Sequence, residues 1–358
     1  MSEQNVKNIM ALDLGYSSSK VSYLSLGEGE RPGDALSRVK VEHCPGGVQD
    51  FGATDQAVAN DSRSEKVVVD GRTYVAGVNH KTVGHDRQRS DHFIYEPEWK
   101  ARLYAALKRS GFENRVVDVL VLGLPCEHFY NHVDPQKKSE HVRYLESVCS
   151  GNIDTGDGSP YEVKRVEVMA QPHGTYWGFF GKTTDSRLRN LARRGSILVM
   201  DIGYYTFDWI NLDKLSVVLK NSNSRSNAYH QVLSSAAGAI TTELREAGLK
   251  KAAVSPDDIE DALFTGEDTV FVGAKEVSID SYLYAAAEDV SQQVLKAVEG
   301  DIGKTPPNMI IVSGGGAKHF APHIEKWAES IGAEVVTPDQ PERLNAYGYM
   351  TNALVNHI

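Results

Sequence analysis

An α/β protein made of two like lobes is the expectation for this chain, and three features support it. Strand-like and helix-like segments alternate in both halves, the pattern of sheets covered by helices. One short motif occurs twice: an apolar strand, then Asp, an aliphatic residue, Gly and Tyr, first at Asp13 and again 188 residues later at Asp201. The chain has 358 residues, 41% hydrophobic and 24% charged, which is enough for two ordinary domains or one two-lobed unit.

The elements follow in order. Residues 9–14 are apolar and residues 21–26 alternate, with the polar turn 15–19 between them, so the chain opens with strands. Residues 66–69 and 72–76 flank Asp70-Gly71, a preferred type I′ pair, and predict a hairpin. Residues 96–109 carry helical periodicity and stop before Gly111. The continuous apolar run 116–122 reads as a strand covered on both faces. Residues 151–160, rich in Gly, Asp and Ser, read as a turn or loop. The pattern then begins again, with strands at 196–200 and 207–212. Helices are expected at about 228–248 and 281–299, a short buried strand at 309–312, and helices at about 317–331 and 342–355.

Composition excludes several classes. No run approaches the roughly 20 apolar residues of a membrane helix, and the first 14 residues lack a basic stretch followed by an apolar one, so neither a membrane partner nor a signal peptide is expected. Cys44, Cys126 and Cys149 are odd in number with no Cys-x-x-Cys spacing, and read as reduced thiols of a cytoplasmic protein. The histidines suggest no transition-metal site. A net charge of −10 argues against a chain that coats DNA by itself, since phosphate contacts need a surplus of Lys and Arg. The basic residues between Arg187 and Arg194 read more readily as a solvated helix face than as a nucleic-acid patch.

The repeated turn carries the chemistry. An Asp ending a strand puts a carboxylate at the mouth of the hairpin. Gly15 and Gly203 allow close backbone approach, and the N–H groups that follow, at Tyr16, Ser17, Tyr204 and Tyr205, can face an anion. Ser17, Ser18 and Thr206 add hydroxyl donors, and Lys20 a point charge suited to phosphate. Two carboxylates, Asp13 and Asp201, would repel across a cleft unless a hydrated Mg²⁺ lay between them and bridged to phosphates. One Asp-x-Gly turn is a common hairpin device; two, after matching strands, favour nucleotide binding. Lys20 alone reads equally as a solvated strand residue. A third element, Gly314-Gly315-Gly316 between a buried strand and a helix, lets a flat ligand lie on bare backbone or simply makes a tight turn. It is neither a Walker A motif nor a dinucleotide fingerprint.

These motifs, in this order, resemble the actin, Hsp70 and sugar-kinase superfamily, and within it the plasmid-segregation actins of the ParM/StbA type. Asp13-x-Gly15 with Lys20 is similar to the first phosphate loop, residues 119–127 to the first connecting segment, and Asp201-x-Gly203 with Thr206 to the second phosphate loop. Residues Ser313 to Ala317, with Gly314, Gly315 and Gly316, are similar to the adenosine motif, and Asn345-Ala346-x-Gly348-Tyr349 to the closing helix. The resemblance implies two ribonuclease-H-like subdomains around a cleft holding ATP or GTP with Mg²⁺, with Asp13 near metal and phosphates and Asp201 near the metal and its waters. It implies lobes of residues 1–170, with 342–358 packing back, and 171–341. It also implies a Gln or Glu that positions the attacking water; Gln171, after the strand at 166–170, is the candidate, and a hydrogen-bonded strand-end amide is the equal alternative. Glu243 is a weaker candidate for the ribose hydroxyls, and a surface Glu is the commoner reading. Tyr16, Tyr204 and Tyr205 depart from the small residues usual in these loops, so their rings are expected to point away or to shape the site.

The resemblance implies a filament-forming ATPase whose subunits stack head to tail, coupled to plasmid DNA through a small DNA-binding adaptor. A monomeric small-molecule kinase would need a catalytic Asp poised on a substrate hydroxyl, and no motif places one. A chaperone-like nucleotide switch would carry a β-rich substrate domain, and none is evident in the sequence.

Overall fold

The structure, a computed structural model, describes residues 6–51, 64–83, 92–131, 133–303 and 306–357. The chain divides into two compact units, Met1–Ser186 with Arg343–Ile358, and Arg187–Glu342. The helix that follows the expected boundary at residue 170 thus falls in the first unit.

The first unit opens with β1 (Lys7–Leu14) and β2 (Ser18–Leu26), an antiparallel hairpin. After α1 (Pro32–Leu36), β3 (Val41–Pro45) pairs with β2, and β4 (Gly47–Asp50) joins the separate sheet of β5 (Glu65–Val69) and β6 (Arg72–Val78). Asp70 and Gly71, with φ of 49° and 80°, make the left-handed pair that a type I′ turn requires. Next come α2 (His80–Val83), a 3₁₀ turn (Phe93–Tyr95) and α3 (Pro97–Arg109).

The apolar run at 116–122 is divided into β7 (Val116–Val117) and β8 (Val119–Leu124). The break is Asp118, whose carboxylate accepts from the Asn8 amide at 2.8 Å and faces Lys164 at 2.9 Å. Then follow α4 (Cys126–Phe129), α5 (Glu140–Val148), β9 (Gly151–Ile153), β10 (Tyr161–Val163), β11 (Val166–Ala170) and α6 (Gln171–Lys182). The expected loop at 151–160 therefore starts as strand, because β9 pairs antiparallel with β10.

The main sheet runs β11-β8-β1-β2-β3. Period-two alternation along β1 serves two cores: Met10 and Leu12 pack with Trp99 and Leu103 of α3, and Ile9 and Ala11 with Tyr349, Met350 and Ala353.

The second unit begins with α7 (Ser186–Arg194), β12 (Ser196–Ile202), β13 (Phe207–Asp213), β14 (Ser216–Val217) and β15 (Asn223–Arg225). It continues through α8 (Tyr229–Glu246), α9 (Pro256–Thr265), the hairpin β16 (Thr269–Val272) and β17 (Lys275–Ser278), and α10 (Asp280–Ile302). It closes with β18 (Met309–Ser313), α11 (Ala317–Ile331) and β19 (Glu334–Val336). The chain returns to the first unit with α12 (Leu344–His357).

The second sheet runs β14-β13-β12-β18-β19. β12 is antiparallel to β13 and parallel to β18, as β1 is antiparallel to β2 and parallel to β8. The motif repeat is therefore a repeat of sheet topology.

Candidate functional site

In the first unit, Asp13 ends β1 opposite Lys20 of β2, so the carboxylate and the ammonium leave the sheet on the same face. Lys20 Nζ lies 3.8 Å from Asp13 Oδ2, and Gln171 Nε2 donates to Asp13 Oδ1 at 3.1 Å. Asp13 retains 4% of its surface and Lys20 9%. A carboxylate only accepts, so the amide nitrogen of Gln171 must face it, and the Gln171 carbonyl faces away as an acceptor suited to water. Gln171 stands here because β11 runs parallel to β8 and ends level with β1's exit.

The turn is tied from below. Arg102 donates from Nη2 to Gly15 O at 2.6 Å and from Nε to Ser19 Oγ at 3.0 Å. The carbonyl of Ser17 accepts from Gly46 N and lies 3.0 Å from His80 Nε2, and Ser18 pairs with Pro45 in the sheet. The Tyr16 ring stacks on Phe93 with centroids 4.2 Å apart, and is turned to the side of the hairpin. His43 crosses from Lys20 on β3; burial, then the charges of Lys20 and Arg343, lower its pKa to about 3, so it is neutral near pH 7.

In the second unit, Asp201 ends β12, is 4% exposed, and has Ser313 Oγ at 3.3 Å from Oδ1. The cross-strand position that Lys20 holds in the first hairpin is Asp208 here, also buried. The two hairpins thus share a backbone but differ in charge. Gly203 N donates to Thr206 O at 2.8 Å, closing the turn. The carbonyls of Gly203 and Tyr204 accept from Tyr229 and His230, the first N–H groups of α8. Tyr204 and Tyr205 meet edge to face at 4.7 Å, and Tyr205 lies against the His230 ring at 4.7 Å. The bulk is therefore accommodated over the start of α8.

The three glycines are not equivalent. Gly314 has φ of +88°, and a Cβ there would lie 2.4 Å from Ile202 O and 2.6 Å from Asp201 Oδ1. A Cβ on Gly316 would lie 2.5 Å from Ile202 Cγ2. Both are glycine because the turn is pressed against the end of β12. Only Gly315 faces open space, so it is the one suited to a flat ligand. Glu243 lies on an exposed stretch of α8 and accepts from Tyr282 Oη at 2.5 Å.

Arg102, Phe93 and His80 join the site only through the fold. A signal existed for Arg102, a cation on the inward side of a helix with Trp99 and Leu103. A His-x-x-x-His pair, His319 and His323, also lies in α11. His319 Nδ1 lies 2.9 Å from Tyr229 Oη, while the His323 ring packs on Tyr284. The two imidazoles thus serve different neighbours. Among the described residues no group of three or more His, Cys, Asp or Glu could hold a metal ion.

The residues fit a hydrated Mg²⁺–nucleotide by their donor chemistry. Each hairpin offers a buried carboxylate at the end of its first strand, Asp13 or Asp201, the second with buried Asp208 across from it, and a hard cation that keeps several waters needs few protein ligands. Lys20 supplies a point charge beside the first, and Gly315 an open backbone surface beside the second.

Comparisons agree with this layout. Residues 11–174 match the family described as the N-terminal domain of actin-like proteins, and residues 199–326 the family described as archaeal actin homologue MreB-like, C-terminal. An archaeal actin homologue, Ta0583, superposes with a TM-score of 0.69 at 18% identity, covering 96% of this chain and 98% of its own. The same protein in complex with ADP gives 0.68 at 16% identity, with coverage of 96% and 98%. A subunit of a 15-stranded ParM filament from Clostridium botulinum gives 0.65 at 18% identity, with coverage of 96% and 98%. No curated protein matches the sequence.

Proposed function

This chain is an actin-like protein, similar to ParM, and from that premise we propose that it is a filament-forming ATPase that moves plasmid DNA apart. The observation that carries the proposal is the Asp13 carboxylate, buried and spanned by the Gln171 amide and the Lys20 ammonium at the mouth of a hairpin that recurs at Asp201. ADP bound to one structural relative and the filament built by another support the reading.

In this proposal Asp13 and Asp201 are the residues that would hold a hydrated Mg²⁺ with ATP or GTP, and the cation would supply charge neutralisation to the phosphates. Lys20, Ser17, Ser18, Thr206 and the turn amides at 15–17 and 203–205 orient the phosphates, and Gly315 receives the nucleoside on the turn that Gly314 and Gly316 hold against the end of β12. Glu243 would bind the ribose hydroxyls. Gln171 accepts from the attacking water through its carbonyl. An amide is a poor base, so its contribution is orientation, and most of the rate comes from positioning and charge stabilisation. Head-to-tail contacts strengthen with the triphosphate bound and weaken after hydrolysis, and a small DNA-binding adaptor links the cytoplasmic filament to its cargo.

Sedimentation and light scattering with Mg-ATP, Mg-GTP and a non-hydrolysable analogue test the proposal. Nucleotide-dependent pelleting at tens of micromolar protein is expected from the wild type and lost in Asp13→Asn. No pelleting with any nucleotide removes the filament reading; no binding by calorimetry removes the nucleotide reading as well.

A further inference from the structure

We propose that Arg102 is a positioning residue for the first acidic hairpin, fixing the turn that presents Asp13 and Lys20; its effect on catalysis rests on the nucleotide reading above. Arg102 lies on α3 among Trp99, Leu103, Ala106 and Leu107, and only 3% of its surface is exposed. A guanidinium is expensive to desolvate and persists in such a place only when its donors are satisfied.

Its planar fork is spent on the turn. Nη2 reaches Gly15 O at 2.6 Å and Nε reaches Ser19 Oγ at 3.0 Å, so one rigid group ties the first residue of the turn to the start of β2, where Ser19 pairs with Leu14. The same guanidinium lies 5.6 Å from the centroid of Phe93, and Phe93 stacks on Tyr16. Gly15, Tyr16 and Ser19 are therefore gripped by a single layer of α3 and the turn before it. The trans peptide joining Gly15 to Tyr16 gives this grip a direction. With the Gly15 carbonyl drawn toward Arg102, the Tyr16 N–H must point the opposite way, away from α3. One buried cation thus sets the orientation of a backbone donor in the turn between Asp13 and Lys20. A lysine would offer a point charge on a flexible stem in place of a planar fork whose two donors are fixed relative to each other.

Steady-state Mg-ATP hydrolysis and amide hydrogen exchange on the full chain test this, with Arg102→Met, Arg102→Lys and Ser19→Ala. For Arg102→Met, kcat is expected to fall at least about tenfold while KM changes less than about threefold, because misplacing a turn acts on transition-state geometry more than on ground-state binding. Arg102→Lys should fall between. Exchange at the amides of residues 15–19 should quicken at least about tenfold, with β16 and β17 unchanged. Ser19→Ala removes one acceptor while leaving the cation, and should show the same local exchange effect at reduced size, which decides the matter if Arg102→Met does not fold. Wild-type kcat within twofold together with wild-type turn exchange overturns the proposal. So does exchange that quickens evenly across the first unit, since that marks a purely structural residue. A wild type that neither binds nor hydrolyses nucleotide removes the functional reading alone, and the exchange data still decide whether Arg102 orders the turn.

Discussion

Asp13 and Lys20 are a buried ion pair without a direct hydrogen bond, since their charged atoms stand 3.8 Å apart. Removing one partner leaves the other charged in a low-dielectric place, and that loss outweighs the attraction itself. Lys20→Met should therefore destabilise the chain by about 2 kcal/mol in urea unfolding, below the usual range for tight buried pairs because of the separation. Asp13→Asn together with Lys20→Met should cost less than the two singly; additive losses would show that the pair is not coupled. His173, hydrogen-bonded to Tyr130 at 3.1 Å, has its pKa lowered to about 4 by burial. Its unfolded value is about 6.5, so the unfolded chain binds the extra proton first and stability must fall as pH drops from about 6.5 to about 4. His173→Gln should flatten that fall by about 1.4 kcal/mol per pH unit, read from urea midpoints across the window. An unchanged slope would mean that His173 is not held neutral. That Asp13 and Lys20 belong to one hairpin was legible, but not their register: a turn at 15–19 with a strand from 21 leaves Lys20 outside the strand, whereas Leu14 pairs with Ser19 and Asp13 with Lys20. Arg102 was legible only as a cation on the inward side of α3; an Arg in an amphipathic helix normally keeps its head in water, so its two acceptors came from the tertiary fold.

Helices α6 and α12 pack through small residues. A Cβ on Gly348 would lie 1.8 Å from Gly174 O, and one on Gly178 would lie 2.4 Å from Leu344 O, so the two backbones touch with nothing between them. Gly348→Ala cannot be absorbed by a rotamer change, because the obstacle is backbone. It should cost about 3 kcal/mol, at the upper end of overpacking penalties, and lower the melting temperature clearly. Ser255→Ala is the mild counterpart. Ser255 accepts from Asp258 N while Asp258 reaches back to Ser255 N, a capping box whose loss should cost about 1 kcal/mol without altering far-UV dichroism. Elements with strong periodicity or turn chemistry, such as α3, α11 and the Asp70-Gly71 hairpin, were readable from sequence. The short pieces were not. α5 covers one side of the sheet with little more than two turns, and β16 and β17 form an isolated hairpin whose alternation is weak. α9 was overlooked although Ser255-Pro256-x-Asp258 is a recognisable start signal, which charged residues within the helix obscured.

The second unit is inserted in the first: Arg187–Glu342 interrupts a body made of Met1–Ser186 and Arg343–Ile358. The two cases differ in how each unit obtains its core. In the second, one continuous segment supplies β12 and β13 and the helices α8, α10 and α11 that cover them, including Phe207, Trp209, Leu283 and Phe320. In the first, Ile9, Ala11, Val119 and Val121 of the central strands are covered by Tyr349, Met350, Ala353 and Leu354, residues more than two hundred positions away in the chain. Continuity of sequence thus predicts independence for one unit and dependence for the other. The fragment 187–342, expressed alone, should give a cooperative urea transition, because every partner of its core lies within it. A chain ending at Glu342 should lose the cooperative transition of the first unit, because it leaves the α12 face of β1 and β8 and the glycine face of α6 uncovered. It should retain exchange protection in β12 and β18. Equal loss of protection in both units after removal of α12 would show that they fold as one cooperative body.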